Sequence, residues 1–257
     1  MTTCKCTALI ITSVAGMSGF APMLQSAPSV TLTSTLVSDH LFRGQRLGGF
    51  SFQPAIHLNG GDSVAGISAS IPVDGESADR PDPEIDLYAS RTFALHTSWR
   101  LTPGFTLYAY PDASARSGYD RAIFEPNLAL SYTIPGVRLT STYYYDLTRK
   151  GPILELAAAI ALPLKKFGTE LDLAASVGEY RLRDAFKNAT PTKRLSGNYW
   201  TLGASVPFQI TSTSSIRIGV SHSAGFNSLI QQGATVRTGN PLAARRVVAQ
   251  LGYSLSF

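Results

Sequence analysis

The chain has 257 residues, of which 44% are hydrophobic and 15% charged, with 22 glycines, a formal net charge of +5 and a mean hydropathy of +0.06. Beyond the N-terminus no apolar run approaches the roughly eighteen residues that a membrane helix needs; the longest, residues 156–162, stops at Pro163. Helical spans are therefore excluded, and the scatter of Lys and Arg along the chain argues against a nucleic-acid-binding surface, which would gather them on one element.

At the N-terminus Lys5 precedes an apolar segment, residues 7–17, followed by small residues through Ala27. This pattern predicts a secretory signal peptide over residues 1–27 and an exported domain over 28–257. Ala21 and Ala27 are the small-residue cleavage candidates, each followed by Pro. Cys4 and Cys6 both lie before the apolar segment and are expected to leave with it. The mature chain is then expected to have no disulfide, no thiol nucleophile, no Cys-based metal site and no lipoprotein anchor.

From residue 30 the chain breaks into segments of about ten residues with a period of two, separated by turn signals. The first runs over residues 30–39 and the second over 50–58, with Phe50, Phe52, Pro54, Ile56 and Leu58 on one face; Asn59-Gly60-Gly61-Asp62 then turns the chain. The third (64–71) points Ala65, Ile67, Ala69 and Ile71 outward, and the fourth (84–95) sets Ile85, Leu87 and Ala89 against Glu84, Asp86 and Tyr88. A short fifth segment is expected at 105–110, a sixth at 121–133 and, after Ile134-Pro135-Gly136, a seventh at 137–147. The eighth to eleventh are expected at 151–162, 169–180, 197–210 and 215–223.

The twelfth, residues 247–257, aligns Val247, Ala249, Leu251, Tyr253, Leu255 and Phe257 opposite Gln250, Gly252, Ser254 and Ser256. In a membrane barrel lipid covers such an apolar face and the polar face lines the lumen.

The connections alternate in length. Those at 59–62, 134–136, 163–168 and 211–214 are short, with 96–104 the longest of that set, whereas those at 43–49, 72–83, 111–120, 181–196 and 224–242 are generally longer and more polar. Short periplasmic turns and long outer loops, with both termini inside, characterise outer-membrane barrels, and a soluble sandwich has no need of the pattern. The fold class expected is all-β, a transmembrane antiparallel β-barrel of about twelve strands. Closure requires the last strand to pair with residues 30–39. Two aromatic girdles follow from the topology: Phe50, Phe124, Tyr145 and Trp200 at the outer interface, and Phe105, Tyr132, Phe208 and Phe257 at the inner one. Arg91 has lipid-facing parity, and the expectation is a bulge there or a depth near the periplasmic rim.

Two stretches carry resemblances. The closing strand, ending on Phe257 with apolar residues at alternate positions, resembles the terminal signal through which outer-membrane barrels engage the barrel-assembly machinery. Three patches resemble the TorF-type porin family: Val37-Ser38-Asp39-His40-Leu41-Phe42-Arg43-Gly44, Gln53-Pro54-Ala55 followed by Gly66-Ile67-Ser68-Ala69-Ser70, and Glu84-Ile85-Asp86-Leu87-Tyr88-Ala89. His40 stands where that family has an aromatic, and Ser90 where Gly is common. The likeness covers about the first third of the chain and implies an outer-membrane barrel of porin type.

Inward parity collects Asp39, Glu84, Asp86, Glu125, Asp146, Glu155, Glu170 and Asp172, with Arg43, Arg138, Arg217 and Arg246. Charges on a lumen face set selectivity and local field, so these are the expected pore-lining residues. The competing reading is a salt-bridged plug, because a dozen strands leave a lumen that side chains can largely close. Arg43 has three readings: folded into the lumen over Asp39, bridging lipopolysaccharide phosphates, or part of a tight turn requiring Gly44. The loop residues Arg116, Arg149, Lys150, Arg181, Arg183, Lys187, Lys193, Arg194 and Arg237 are compatible with lipopolysaccharide contact.

A rim hydrolase would need a Ser activated by His, and Ser221-His222-Ser223 is the candidate triplet. Neighbouring strand residues point to opposite faces, which spoils that hydrogen bond. Asn188-Ala189-Thr190 matches a glycosylation triplet without carrying weight in a bacterial barrel. The reading is thus a passive diffusion channel for small hydrophilic solutes, non-catalytic and needing no cofactor or metal, with outer-membrane lipid and lipopolysaccharide as surroundings. A non-conducting structural or lipopolysaccharide-binding barrel is the alternative.

Overall fold

Along the long strands apolar residues predominate outside and polar residues inside, the inverse of a soluble core, with small buried apolar clusters such as Ile153 with Leu182 and Val37 with Val248. The structure is a computed structural model that describes residues 28–73, 83–113, 120–183, 194–227 and 245–257. The signal-peptide segment with Cys4 and Cys6, the Asn188 triplet, and Arg116, Lys187, Lys193 and Arg237 fall outside these residues. In chain order the strands are β1 (Ser29–Val37), β2 (His40–Phe42), β3 (Gln45–Gly48), β4 (Ser51–Gly60), β5 (Ser63–Pro72), β6 (Glu84–Arg91), β7 (Phe93–Ala94) and β8 (Trp99–Ala109). They continue as β9 (Ala122–Ile134), β10 (Val137–Asp146), β11 (Gly151–Leu164), β12 (Thr169–Arg183), β13 (Arg194–Gln209), β14 (Ser214–Asn227) and β15 (Arg245–Ser256). A 3₁₀ turn at Lys165–Phe167 joins β11 to β12.

Twelve of these strands form one closed antiparallel barrel in the order β1, β4, β5, β6, β8 and onward to β15; the expected first and last strands close it, with Thr31 opposite Ser256 and Val37 opposite Gln250. Each expected segment has its strand, most of them longer by a few residues than the pattern suggests. Alternation is clearest in β1, where Thr31, Thr33 and Thr35 are buried while Val30, Leu32 and Leu36 are exposed. The same exposed set continues through Ile56, Ile67, Leu87, Leu130, Leu156, Leu202, Val220 and Leu251. An apolar surface of this extent has no counterpart on a water-soluble monomer and matches a lipid-facing band.

Two of the boundary differences trace to proline. The fifth strand starts at Trp99 rather than Phe105, because Thr102-Pro103-Gly104 reads as a break yet runs on as β8. The fourth segment is interrupted after Arg91, giving β6 and then β7. Pro103 pairs with Leu128 on β9, but the β6–β8 ladder stops at Ser90–Gly104 and resumes only at Phe93–Leu101, leaving a gap where the ring has no N–H to donate. Pro54 is handled alike: it faces Ser34 on one side, while on the other the register skips from Phe52–Ile71 to Ala55–Ser68. Pro126 and Pro152 lie just past the ends of the β9–β10 and β11–β12 ladders.

Arg91 is the last residue of β6 and faces Ser63, the first residue after the Gly61-Asp62 turn. The lipid-facing guanidinium is therefore level with a short turn and next to a ladder gap, where a charge costs about 0–1 kcal/mol rather than the 2–4 of the midplane.

Candidate functional site

The interior is organised by a second sheet of two strands that does not belong to the wall. β2 and β3 pair with each other, joined by Arg43-Gly44, with Phe42 opposite Gln45. Both central residues have positive φ, 48° for Arg43 and 71° for Gly44, the pattern of a type I′ two-residue turn. A non-glycine residue held there costs on the order of 1–3 kcal/mol, so something must hold Arg43 in place.

Glu125 on β9 does so. The guanidinium donates two hydrogen bonds to the carboxylate, at 2.8 and 2.7 Å, and lies 4.6 Å from the ring centroids of both Phe42 and Tyr144. A bidentate, aromatic-sandwiched arginine is fixed in both distance and plane. Glu125 is 2% exposed, and its Oε1 also accepts from the Tyr108 hydroxyl at 3.4 Å.

Further contacts carry the hairpin across the lumen. Gln45 donates to the Tyr180 hydroxyl on β12 at 2.9 Å, and the His40 ring meets Ser70 on β5 at 2.9 Å and Glu84 on β6 at 3.8 Å. At the tip Gly44 presses on Gly225 of β14; a Cβ on Gly44 would lie 2.6 Å from the Gly225 Cα. Both glycines are needed for this approach of backbone to backbone.

The hairpin thus meets opposite walls of the outer half of the barrel. Residues 43–49, expected as an outer loop, are folded inward, and Arg43 pairs with Glu125 rather than Asp39. Asp39 at the hairpin's base instead accepts from Arg46 at 2.7 Å and lies 3.6 Å from Arg246.

The other expected lumen residues sort by height. Glu84 accepts from Tyr110 at 2.6 Å, Glu155 from Tyr199 at 2.8 Å, Asp86 from Ser68 at 3.3 Å, and Asp146 from the Arg149 backbone N–H at 2.7 Å. These surround the hairpin in the outer half. Between it and the wall, Tyr108, Glu125, Asp146, Tyr180 and their neighbours leave a cavity of about 40 Å³, room for a water or two.

In the inner half interactions run along the wall: Arg217 on β14 reaches Ser205 on β13 at 2.7 Å and Asp172 on β12 at 2.6 Å. Arg138 and Glu170 are half-buried on the same level. Arg100 joins them by register, facing Ser131, whose partner Thr140 is two residues from Arg138. Arg100 is not marked by the sequence pattern, because Pro103-Gly104 hides the start of β8. Tyr108, Tyr180 and Tyr199 carry no charge but have inward parity, which is the signal that marks them.

On the outer surface Phe50, Phe124, Phe208 and Phe257 are exposed, and Tyr132, Tyr145 and Trp200 partly so. Phe105 and Phe124 are in contact at 5.6 Å between centroids, so they share one level instead of lying on opposite rims. Trp99, packed on Tyr132 at 4.7 Å, occupies the inner end that Phe105 was expected to hold. The candidate hydrolase triplet is split by the wall: His222 stacks on Trp200 at 4.9 Å outside, while Ser223 bonds Thr201 at 3.0 Å inside.

No family model and no curated protein matches the chain. Among solved structures it is similar to the NanC porin, with a TM-score of 0.51 and 10% identity over 88% of this chain and 98% of that one. It is also similar to the KdgM porin, at a TM-score of 0.51 and 12% identity over 89% and 99% of the two chains, and to the same porin in complex with disordered oligogalacturonate at the same figures. At such identities the likeness shows the fold.

Proposed function

We propose that the barrel resides in the Gram-negative outer membrane and passes small hydrophilic solutes by diffusion, with the β2–β3 hairpin as its constriction. The observation that carries this reading is the inward hairpin held by Arg43 and Glu125 inside a wall whose inner face bears charges of both signs. Such a lumen is solvated, and its charges act on ions and polar solutes that enter it. Asp39, Glu84, Asp86, Glu125, Asp146 and Glu155 then set the field around the constriction; Arg138, Glu170, Asp172, Arg217 and Arg246 act outside it. We further propose export through the signal peptide over residues 1–27, assembly through the closing strand ending in Phe257, lipopolysaccharide contact by the outer loop basics, and TorF-type porin kinship on the Phe42-Arg43-Gly44 and Glu84 patches. No catalysis is proposed.

One observation favours a second reading, a non-conducting barrel plugged by the hairpin: the cavity left beside it is only about 40 Å³. Single-channel recording of the refolded protein in planar bilayers separates the two. Small, ohmic conductance steps are expected, and a membrane no leakier than the protein-free control removes the channel reading.

A further inference from the structure

The outer surface carries an open depression of about 800 Å³ at the periplasmic ends of β1, β4, β5 and β6 and the middle of β8. Its lining residues Leu58, Ala65, Ala89, Arg91 and Phe105 share outward parity, so it opens toward lipid and not into the lumen. Cross-strand register explains its shape. Leu58 faces Ala65, Ala65 faces Ala89, and Ala89 faces Phe105. One rung therefore runs large, small, small, large, and the two alanines form a floor between a leucine and a phenylalanine wall. The rung above, Ile56–Ile67–Leu87–Leu107, closes the depression on the midplane side. On the periplasmic side the next outward position of β6 is Arg91.

Arg91 is exposed on the lipid-facing side, its guanidinium lies 5.2 Å from the Phe93 ring centroid, and it has no acidic partner among the described residues. Elsewhere in the wall and hairpin Arg43 pairs with Glu125, Arg46 and Arg246 share Asp39, Arg181 lies near Glu179 and Arg217 pairs with Asp172. A fixed cation level with the β4–β5 turn, beside an apolar floor, matches a molecule that carries its anion at one end and hydrocarbon at the other.

We propose that this depression binds a glycerophospholipid of the periplasmic leaflet, its phosphodiester accepting hydrogen bonds from Arg91 and its glycerol and upper acyl chain covering Ala65 and Ala89. Phe93 stacks the guanidinium plane and leaves its edge N–H groups for the phosphate. The site requires the barrel to be in a membrane but not to conduct, so its test is independent of channel activity.

The test is native mass spectrometry of the barrel purified with phosphatidylglycerol and then stripped by stepwise detergent exchange. Wild type is expected to retain one lipid per chain after annular lipid is lost. Arg91→Gln is expected to retain at least fivefold less, and Ala89→Leu, which fills the floor without touching the charge, to lose it as well. Diacylglycerol, which lacks the phosphate, is expected not to be retained, and inorganic phosphate alone not to bind. Heat-dependent gel migration reports that each variant is folded, and Lys166→Gln, exposed on the β11–β12 turn across the barrel, is expected to behave as wild type. Equal retention by wild type, Arg91→Gln and Ala89→Leu, or retention of diacylglycerol as strong as that of phosphatidylglycerol, overturns the site.

Discussion

The outer and inner halves of the lumen are built from the same strands and share the same polar parity, yet they use charge differently. In the outer half Arg43 reaches from an inserted hairpin to Glu125 across the interior, so an ion pair joins two parts of the fold that have no other covalent or ladder connection nearby. In the inner half Arg217 reaches Asp172 along the wall, over one intervening strand whose Ser205 it also contacts. The wall there is already fixed by backbone ladders, and the pair adds local order. One charge pair decides where a segment sits; the other sets only the character of a surface.

Removing each arginine is therefore expected to have different consequences. Arg43→Ala leaves a carboxylate that is 2% exposed without its partner and a strained turn without its anchor. A loss of about 3–5 kcal/mol is expected for such a broken buried pair, read as a lower urea midpoint in refolding titrations, together with hairpin cleavage by added protease. Arg217→Ala is expected to cost less, about 1.5–3 kcal/mol for a charge-assisted bond, with no gain in hairpin cleavage. Equal protease sensitivity in the two variants would erase the distinction.

Gly44→Ala tests the hairpin from its tip rather than its clamp. The position has φ of 71° and an added Cβ meets the Gly225 backbone, so a loss of at least about 1 kcal/mol is expected, with the hairpin again exposed to protease. Asp39→Asn sits at the smallest end of the series. Its contact with Arg46 is short and largely shielded, 2.7 Å at 12% and 13% exposure, whereas Arg246 is 46% exposed. Asn keeps an acceptor for Arg46, so the expected cost is about 0.5–1.5 kcal/mol, and only the Arg246 part falls as salt is raised.

The same contrast explains which features were readable from sequence. Strand order, parity and the alternation of short and long connections are local properties of a period-two pattern, so the twelve-stranded wall could be read from residues such as Thr31 to Leu36 alone. The direction taken by residues 40–48 could not. Arg43-Gly44 marks a tight turn, but whether it points to solvent or into the barrel depends on a glutamate 82 residues away and on Gly225, neither of which leaves a local signal. The start of β8 was hidden for the opposite reason. Pro103-Gly104 is a strong local break signal that the fold overrides by placing it at a gap in the β6–β8 ladder. Arg100 was lost with that boundary.

The proposed constriction of a water-filled lumen by the hairpin is tested most directly by single-channel conductance of the wild type beside a variant in which residues 40–48 are replaced by a short Gly-Ser turn. Conductance several-fold larger in the variant, on an otherwise intact barrel, is the expected result. Identical conductance in both would place the constriction elsewhere and contradict the account.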